Sequence, residues 1–170
     1  MNTPSNSGAN GNPWIKRARV LFFQYDGSQF YMSRDGVEQE YLDCAVPGEL
    51  EASWRRELTA AKLARLDQPG NWSTLDYLHH HNDTRYLHLV ERTEPLGKFW
   101  ERFAYLESLL KYTQQCAASY RIDEIRNAIR MALAKAEELG ARGAPDEELR
   151  DRVQQLIETA RRMLAQQEQR

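Results

Sequence analysis

The sequence predicts an α+β fold: an N-terminal antiparallel β-hairpin and a third strand packed with helices, then a long helical C-terminal part ending in an antiparallel helical hairpin. Three observations predict it. Asp26-Gly27 stands between two β-branched and aromatic runs, residues 18–25 (ARVLFFQY) and 28–33 (SQFYMS), and Asp-Gly in that setting favours a tight turn with φ > 0 at both central residues. Residues 84–91 (TRYLHLVE) alternate apolar and polar side chains in the manner of a half-buried strand. Beyond Pro95, apolar residues recur at alternating intervals of three and four, the period of a helix face.

Residues 1–13 are rich in Asn, Ser and Gly with two prolines and no large side chain after the first methionine, which predicts a disordered tail with order beginning near Trp14. The hairpin register would set Phe23 opposite Phe30 and Leu21 opposite Met32 on a core face, with Phe22 opposite Tyr31 on an amphipathic face. Asp35-Gly36-Val37-Glu38 has the spacing of a capping box and predicts a short helix to about Asp43, with a further strand over 37–42 as the alternative. Pro47 opens a helix over 48–66 that carries Leu50, Trp54, Leu58 and Ala61 on one face. Ser73 and Asp76 repeat the capping-box spacing before a short helix to about His81, and residues 84–91 supply the third strand.

The remainder reads as three helices. Residues 95–118 carry Leu96, Phe99, Phe103, Leu106 and Leu110; residues 121–139 carry Ile122, Ile125, Ile129, Ala132, Ala136 and Leu139. Gly140 has the character of a residue that stops a helix, and Pro145 with three following acids opens the last one, with Leu149, Val153, Leu156, Ala160 and Met163 on its seam. The short connection makes the last two helices antiparallel neighbours. Their seams are short for a free-standing coiled coil, so they are expected to pack on another helix. The organisation that follows is a tail over 1–13, an α+β domain over 14–118 and a helical hairpin over 119–170.

Composition removes several classes of function. Of 170 residues 41% are hydrophobic and 28% charged, enough for a core, and no apolar run approaches the roughly 18 residues of a membrane span. The net charge of −2 creates no general field for nucleic acid or anionic lipid. Two cysteines, Cys44 and Cys116, form no CxxC pair and support neither a disulfide framework nor a thiolate zinc site. Cys116 reads as a small core residue and Cys44 as partly exposed. The polar start lacks the features of a secretory signal, so a reduced, cytoplasmic setting is expected. An excess of Arg (18) over Lys (5) fits a GC-rich, bacterial genome.

Chemistry concentrates in histidine. All four, His79, His80, His81 and His88, fall within ten residues, with Asp83 among them. Imidazole and carboxylate are ligands for a divalent metal such as zinc or manganese. Adjacent helical residues diverge by about 100° and cannot converge on one ion, but His79 and Asp83 at i and i+4 could, with His88 joining from the next strand. That trio, His79, Asp83 and His88, defines one alternative, a small metal-dependent hydrolase or nuclease; packed or solvated imidazoles are the structural alternative. Neither GxSxG nor a phosphate-cradling glycine loop occurs. A second alternative, nucleic-acid binding by the hairpin, rests on Lys16, Arg17 and Arg19 beside Phe22 and Tyr31. Gln24 and Gln29 stand where basic residues would help, and from Arg121 onward ten basic residues balance ten acidic ones, so this partner is not expected.

Paired apolar seams and aromatics such as Trp72, Tyr77, Trp100 and Tyr112 suit a domain that docks on another protein. The function expected from sequence is therefore a non-catalytic protein-protein interaction module, an accessory or immunity-type partner, without a cofactor. The expected partner is another protein, or a second copy through the C-terminal helices. The residues expected to meet it are Phe22, Tyr31, Trp72, Trp100, Arg126, Arg130 and Arg152.

Overall fold

The chain is all-helical, not α+β. In the computed structural model, which describes residues 12–168, 75% of the chain is helical and no strand occurs among the described residues. Of the tail read over 1–13, residues 1–11 lie outside the described residues, and Asn12 and Pro13 already begin a helix. Contacts divide the chain into two compact units, Met1–Lys62 and Leu63–Arg170. The division lies within residues 14–118, and the helices on both sides of residue 118 pack together in the second unit.

In the first unit, helix α1 (Pro13–Gln24) occupies the place of the first expected strand. The Asn12 side chain accepts the Trp14 N–H at 3.0 Å, and Pro13 takes the first helical position, where a missing N–H costs nothing. Ile15, Ala18, Leu21 and Phe22 are buried while Val20 is 54% exposed. Neighbours Leu21 and Phe22 could not both face inward on a strand, but on a helix they share a face. Asp26 and Gly27 do adopt the left-handed conformation, with φ of 52° and 65°. They end a helix instead of closing a hairpin: the Gly27 N–H donates to the Phe22 carbonyl at 2.7 Å, the six-to-one bond of a Schellman stop.

The second expected strand is helix α2 (Gln29–Arg34), capped by Ser28, whose hydroxyl accepts the Tyr31 N–H at 3.5 Å. Helix α3 (Glu38–Asp43) decides between the two alternatives for 37–42, although its Val37 cap makes no side-chain bond. Helix α4 (Gly48–Leu63) buries Trp54 and Leu58. The Phe22 ring is the centre of this unit, with centroids 5.7 Å from Trp54 and 6.5 Å from Tyr41. Phe22 is 1% exposed and belongs to the core, so it is no partner contact and no stacking platform for bases. Cys44 is likewise buried, its thiol donating to the Glu40 carbonyl.

The second unit holds α5 (Trp72–His80), α6 (Leu87–Val90), α7 (Phe99–Gln115), α8 (Ile122–Ala141) and α9 (Glu147–Glu168). The expected third strand is a 3₁₀ turn, Thr84–Tyr86, running into α6. Leu87 and Val90 are fully buried at i and i+3, while Leu89, which alternation would bury with Leu87, is 47% exposed. Asn71 staples the two loops beside α5: its amide donates to the Leu66 and Glu94 carbonyls, each at 2.9 Å, and accepts the Leu96 N–H at 3.5 Å. Helix α7 is central, packing α5 and α8. The Tyr105 and Tyr112 hydroxyls donate to the Val90 and Asp83 carbonyls at 2.7 and 2.6 Å, so both rings complete the core.

Helices α8 and α9 lie antiparallel. Arg126 near the start of α8 donates to the Gln167 carbonyl near the end of α9, while Gly140 faces Val153. Gly140 lies within α8 and is not its stop. A Cβ there would sit 3.3 Å from Val153 Cγ1, so the absence of a side chain lets the two helices close up. Among the described residues no helix is long and apolar enough to cross a membrane.

Candidate interaction site

Helix α8 packs on both α7 and α9 through short connections, so α7 and α9 run the same way and leave a groove between them. Spacing of three and four residues brings Phe103, Glu107, Leu110 and Gln114 of α7 to one side, and Arg152, Leu156, Thr159 and Met163 of α9 to the other. The groove has a volume of about 240 Å³. Its lining on α7, residues 103–114, extends for about 16 Å at 1.5 Å per residue. The floor is apolar and mostly buried, with Phe103, Leu110 and Leu156 at 4%, 4% and 7% exposure and Met163 half-buried, and the rim is polar. At one end the Arg152 guanidinium lies 4.6 Å from the centre of the Phe103 ring, a cation–π contact of about 0.5–1 kcal/mol at such exposure. Further along the rim, Glu107 and Lys111 pair at 3.3 Å across one helical turn.

Of the residues expected to meet a partner, Arg152 alone lines this groove. Arg126 is half-buried against the Gln167 carbonyl with its Nε unpartnered, and Arg130 is exposed on α8. Trp72 is half-buried with its ring 6.2 Å from that of Trp100, which is 47% exposed. In the first unit Tyr31 stacks edge-on against Phe30, which is 66% exposed, and carries Arg34 over its ring. Tyr77 and Tyr112, expected at the surface, are 5% and 0% exposed.

The histidines are dispersed. His79 and His81 are half-buried, His80 is exposed, and His81 stacks on Tyr77. Asp83 caps the 3₁₀ turn and takes Arg85 through both oxygens, at 2.8 and 2.7 Å. The hydrogen bond from Arg85 holds the Asp83 carboxyl below its ordinary value, while partial burial opposes the shift. His88 points elsewhere: Nδ1 lies 3.4 Å from Glu91 and Nε2 3.0 Å from Glu124. The two carboxylates stand at opposite ends of the ring, so they do not converge with it on one ion. Among the described residues no three His, Cys, Asp or Glu side chains are placed to hold a metal.

Glu91, Glu124 and Lys135, which sequence reasoning passed over, form a polar latch between α8 and the end of α6. Lys135 is buried and donates to the Glu91 and Thr93 carbonyls at 3.0 and 2.6 Å, satisfying backbone groups beyond a helix end. Glu91 is 1% exposed, with one carboxylate oxygen unpartnered. Cys116 is also buried, and burial pushes its thiol up to about 11, which keeps it protonated at neutral pH. No protein-family model, curated protein or solved structure matches the chain.

Proposed function

We propose that this protein is a non-catalytic interaction module, an accessory or immunity-type partner, that docks a segment of another protein in the α7/α9 groove. One observation carries the proposal: a groove of about 240 Å³ between two parallel helices is lined by Phe103, Leu110, Leu156 and Met163, the last of them half-buried, and is bordered by charge. A lining with an apolar floor and a polar rim resembles recognition grooves, in which apolar anchors enter a channel and polar flanks set orientation. The groups with the strongest chemistry are committed to structural contacts: Asp83 to Arg85, His88 to Glu91 and Glu124, and the Cys116 thiol to the core. Together they support a binding role over a catalytic one.

Quantitative capture from cells that express the chain tests the proposal with three baits: the parent, Met163→Asp and Arg130→Glu. Met163 is half-exposed in the groove, whereas Arg130 does not line it. The proposal expects one protein to be recovered by the parent and by Arg130→Glu, and at least tenfold less of it by Met163→Asp, with unchanged circular dichroism in all three. Equal recovery by the three baits would remove the groove from the account.

A further inference from the structure

We infer that His88, Glu91 and Glu124 form a proton-dependent latch, which holds the end of α6 against the first turn of α8 in mildly acidic solution and loosens as the pH rises. This regulation is independent of the docking role. It follows from a count of donors. The two ring nitrogens of His88 face two carboxylates, Nδ1 at 3.4 Å from Glu91 and Nε2 at 3.0 Å from Glu124. A carboxylate only accepts, and a neutral imidazole carries a single N–H. Both contacts are hydrogen bonds only when the three groups share one further proton, on the ring or on Glu91. When that proton leaves, the ring donates to one carboxylate and turns a bare nitrogen to the other. The shorter contact is to Glu124, so Glu91 is the one that loses its donor.

Burial gives that loss its effect. Glu91 is 1% exposed, and its Oε2 has no hydrogen-bond partner. A buried carboxylate without compensation is strongly disfavoured, and freeing the end of α6 returns it to water.

The surrounding groups do not replace the proton. Next to Glu91, Arg92 is 77% exposed and its Nε lies 3.9 Å from Oε1, beyond hydrogen-bonding distance. From α8, the Asn127 amide reaches the same oxygen at 3.5 Å, and the Lys135 ammonium is committed to the Glu91 and Thr93 carbonyls and to Glu94. The Tyr120 ring meets His88 edge-on at 5.3 Å, and burial raises its hydroxyl above the ordinary value, so it stays neutral. On the buried side, α7 presents the Tyr105 and Tyr112 hydroxyls, which donate to the Val90 and Asp83 carbonyls and are also raised by burial. At the 3₁₀ turn, Asp83 is paired with Arg85, and the Cys116 thiol stays protonated. Imidazole is the side chain that changes charge between about pH 5 and 8, which sets the range in which the latch acts.

Amide hydrogen exchange of the full chain, read residue by residue by NMR at pH 6 and pH 8, tests the inference. The reporters are the Glu91 and Thr93 N–H groups, which donate to the Leu87 and Val90 carbonyls at 3.0 and 3.2 Å. After correction for intrinsic rates, their protection should fall at least about threefold from pH 6 to pH 8, while the Ile157 amide in α9 keeps its own. His88→Gln should show low protection at both pH values. Glu124→Gln should show high protection at both. Glutamine can accept the Arg121 N–H where Glu124 Oε2 does so now, at 2.7 Å, and offer its amide to Nε2. The neutral ring is then free to donate to Glu91.

Equal protection at pH 6 and pH 8 in the parent would overturn the latch. So would a loss of the same size in His88→Gln, or one shared by Ile157, which would mark a change in the whole unit. Circular dichroism checks that both variants are folded. If His88→Gln does not fold, Glu124→Gln decides alone, because a loss at pH 8 equal to the parent's would also overturn the inference.

Discussion

Replacing Gly27 by alanine tests the reinterpretation of the N-terminal segment. Two costs arise. The backbone at Gly27 has φ of +65°, where an L side chain costs on the order of 1 kcal/mol. A Cβ built there would also lie 2.7 Å from Phe22 Cζ, in a ring that is 1% exposed and wedged between Trp54 and Tyr41. Displacing such a ring costs about 1–3 kcal/mol, for a total of about 2–4 kcal/mol. Gly36 supplies the control, because its φ is +76° but a Cβ there meets nothing within 4 Å. Gly36→Ala should lose the backbone term alone, about 1 kcal/mol. Urea unfolding followed by circular dichroism and tryptophan fluorescence measures both. A midpoint loss for Gly27→Ala no larger than that for Gly36→Ala would show that Gly27 does not abut Phe22, and the helix stop drawn here would be wrong.

Three other expectations concern the second unit and the latent chemistry. Asn71→Ala should cost about 2–4 kcal/mol in urea unfolding, because the carbonyls of Leu66 and Glu94 and the Leu96 N–H lose their partner; a change within 0.5 kcal/mol, roughly the scale of a neutral surface substitution, would count against the staple. Asp83 is held below its ordinary 3.8 by the hydrogen bond from Arg85, so its contribution to stability is present above that pH and lost as pH falls through the lowered value. Asp83→Asn should therefore lower the urea midpoint at pH 7, with the gap from the parent closing in the acid limb below about pH 4; a gap that stays constant there would contradict the pair. In a Cys44→Ser background, Ellman's reagent at pH 8 should modify folded Cys116 at least roughly 100-fold more slowly than in urea, since a thiol at about 11 instead of 9.0 has about 100-fold less thiolate. Equal rates would place the thiol at the surface.

The long periodic segments were legible because a helix face of four or more turns repeats its spacing too often to be mistaken. Residues 99–115, 122–141 and 147–168 are helical where the three-four spacing predicts, to within a few residues at each end. The errors came from short segments, where one turn of helix and a few residues of strand look alike. Leu87, Leu89 and Val90 fit alternation as well as they fit i and i+3, and only burial of Leu87 and Val90 beneath α7 decides between them. At the N-terminus the aromatic density of residues 18–25 favoured a strand, while the helix start, Asn12 and Pro13, lay in the stretch assigned to the tail. The Asp26-Gly27 conformation was readable, but both a hairpin turn and a helix stop demand positive φ, so the dipeptide could not choose between them.

The candidate site was partly visible. Arg152 flanks the α9 seam and so could be assigned to the outer face. Its seat over Phe103 could not be, because the contact joins residues 49 positions apart through a third helix. The same distance in sequence hid the latch: 36 residues separate His88 from Glu124 and 44 separate Glu91 from Lys135. Histidine density pointed to a metal, whereas the backbone sends Asp83 to Arg85 and His88 to Glu124, and no three ligands converge among the described residues.

Site-specific photo-cross-linking tests the docking role most directly. A benzophenone side chain placed at Gln155, exposed on the groove rim, is compared with one at Arg130, exposed outside the groove lining. Both variants are irradiated in cells that express the full chain. The account predicts a single discrete adduct from position 155, lost when Met163→Asp is added, and none from position 130. An adduct from position 130 with none from position 155 would contradict it.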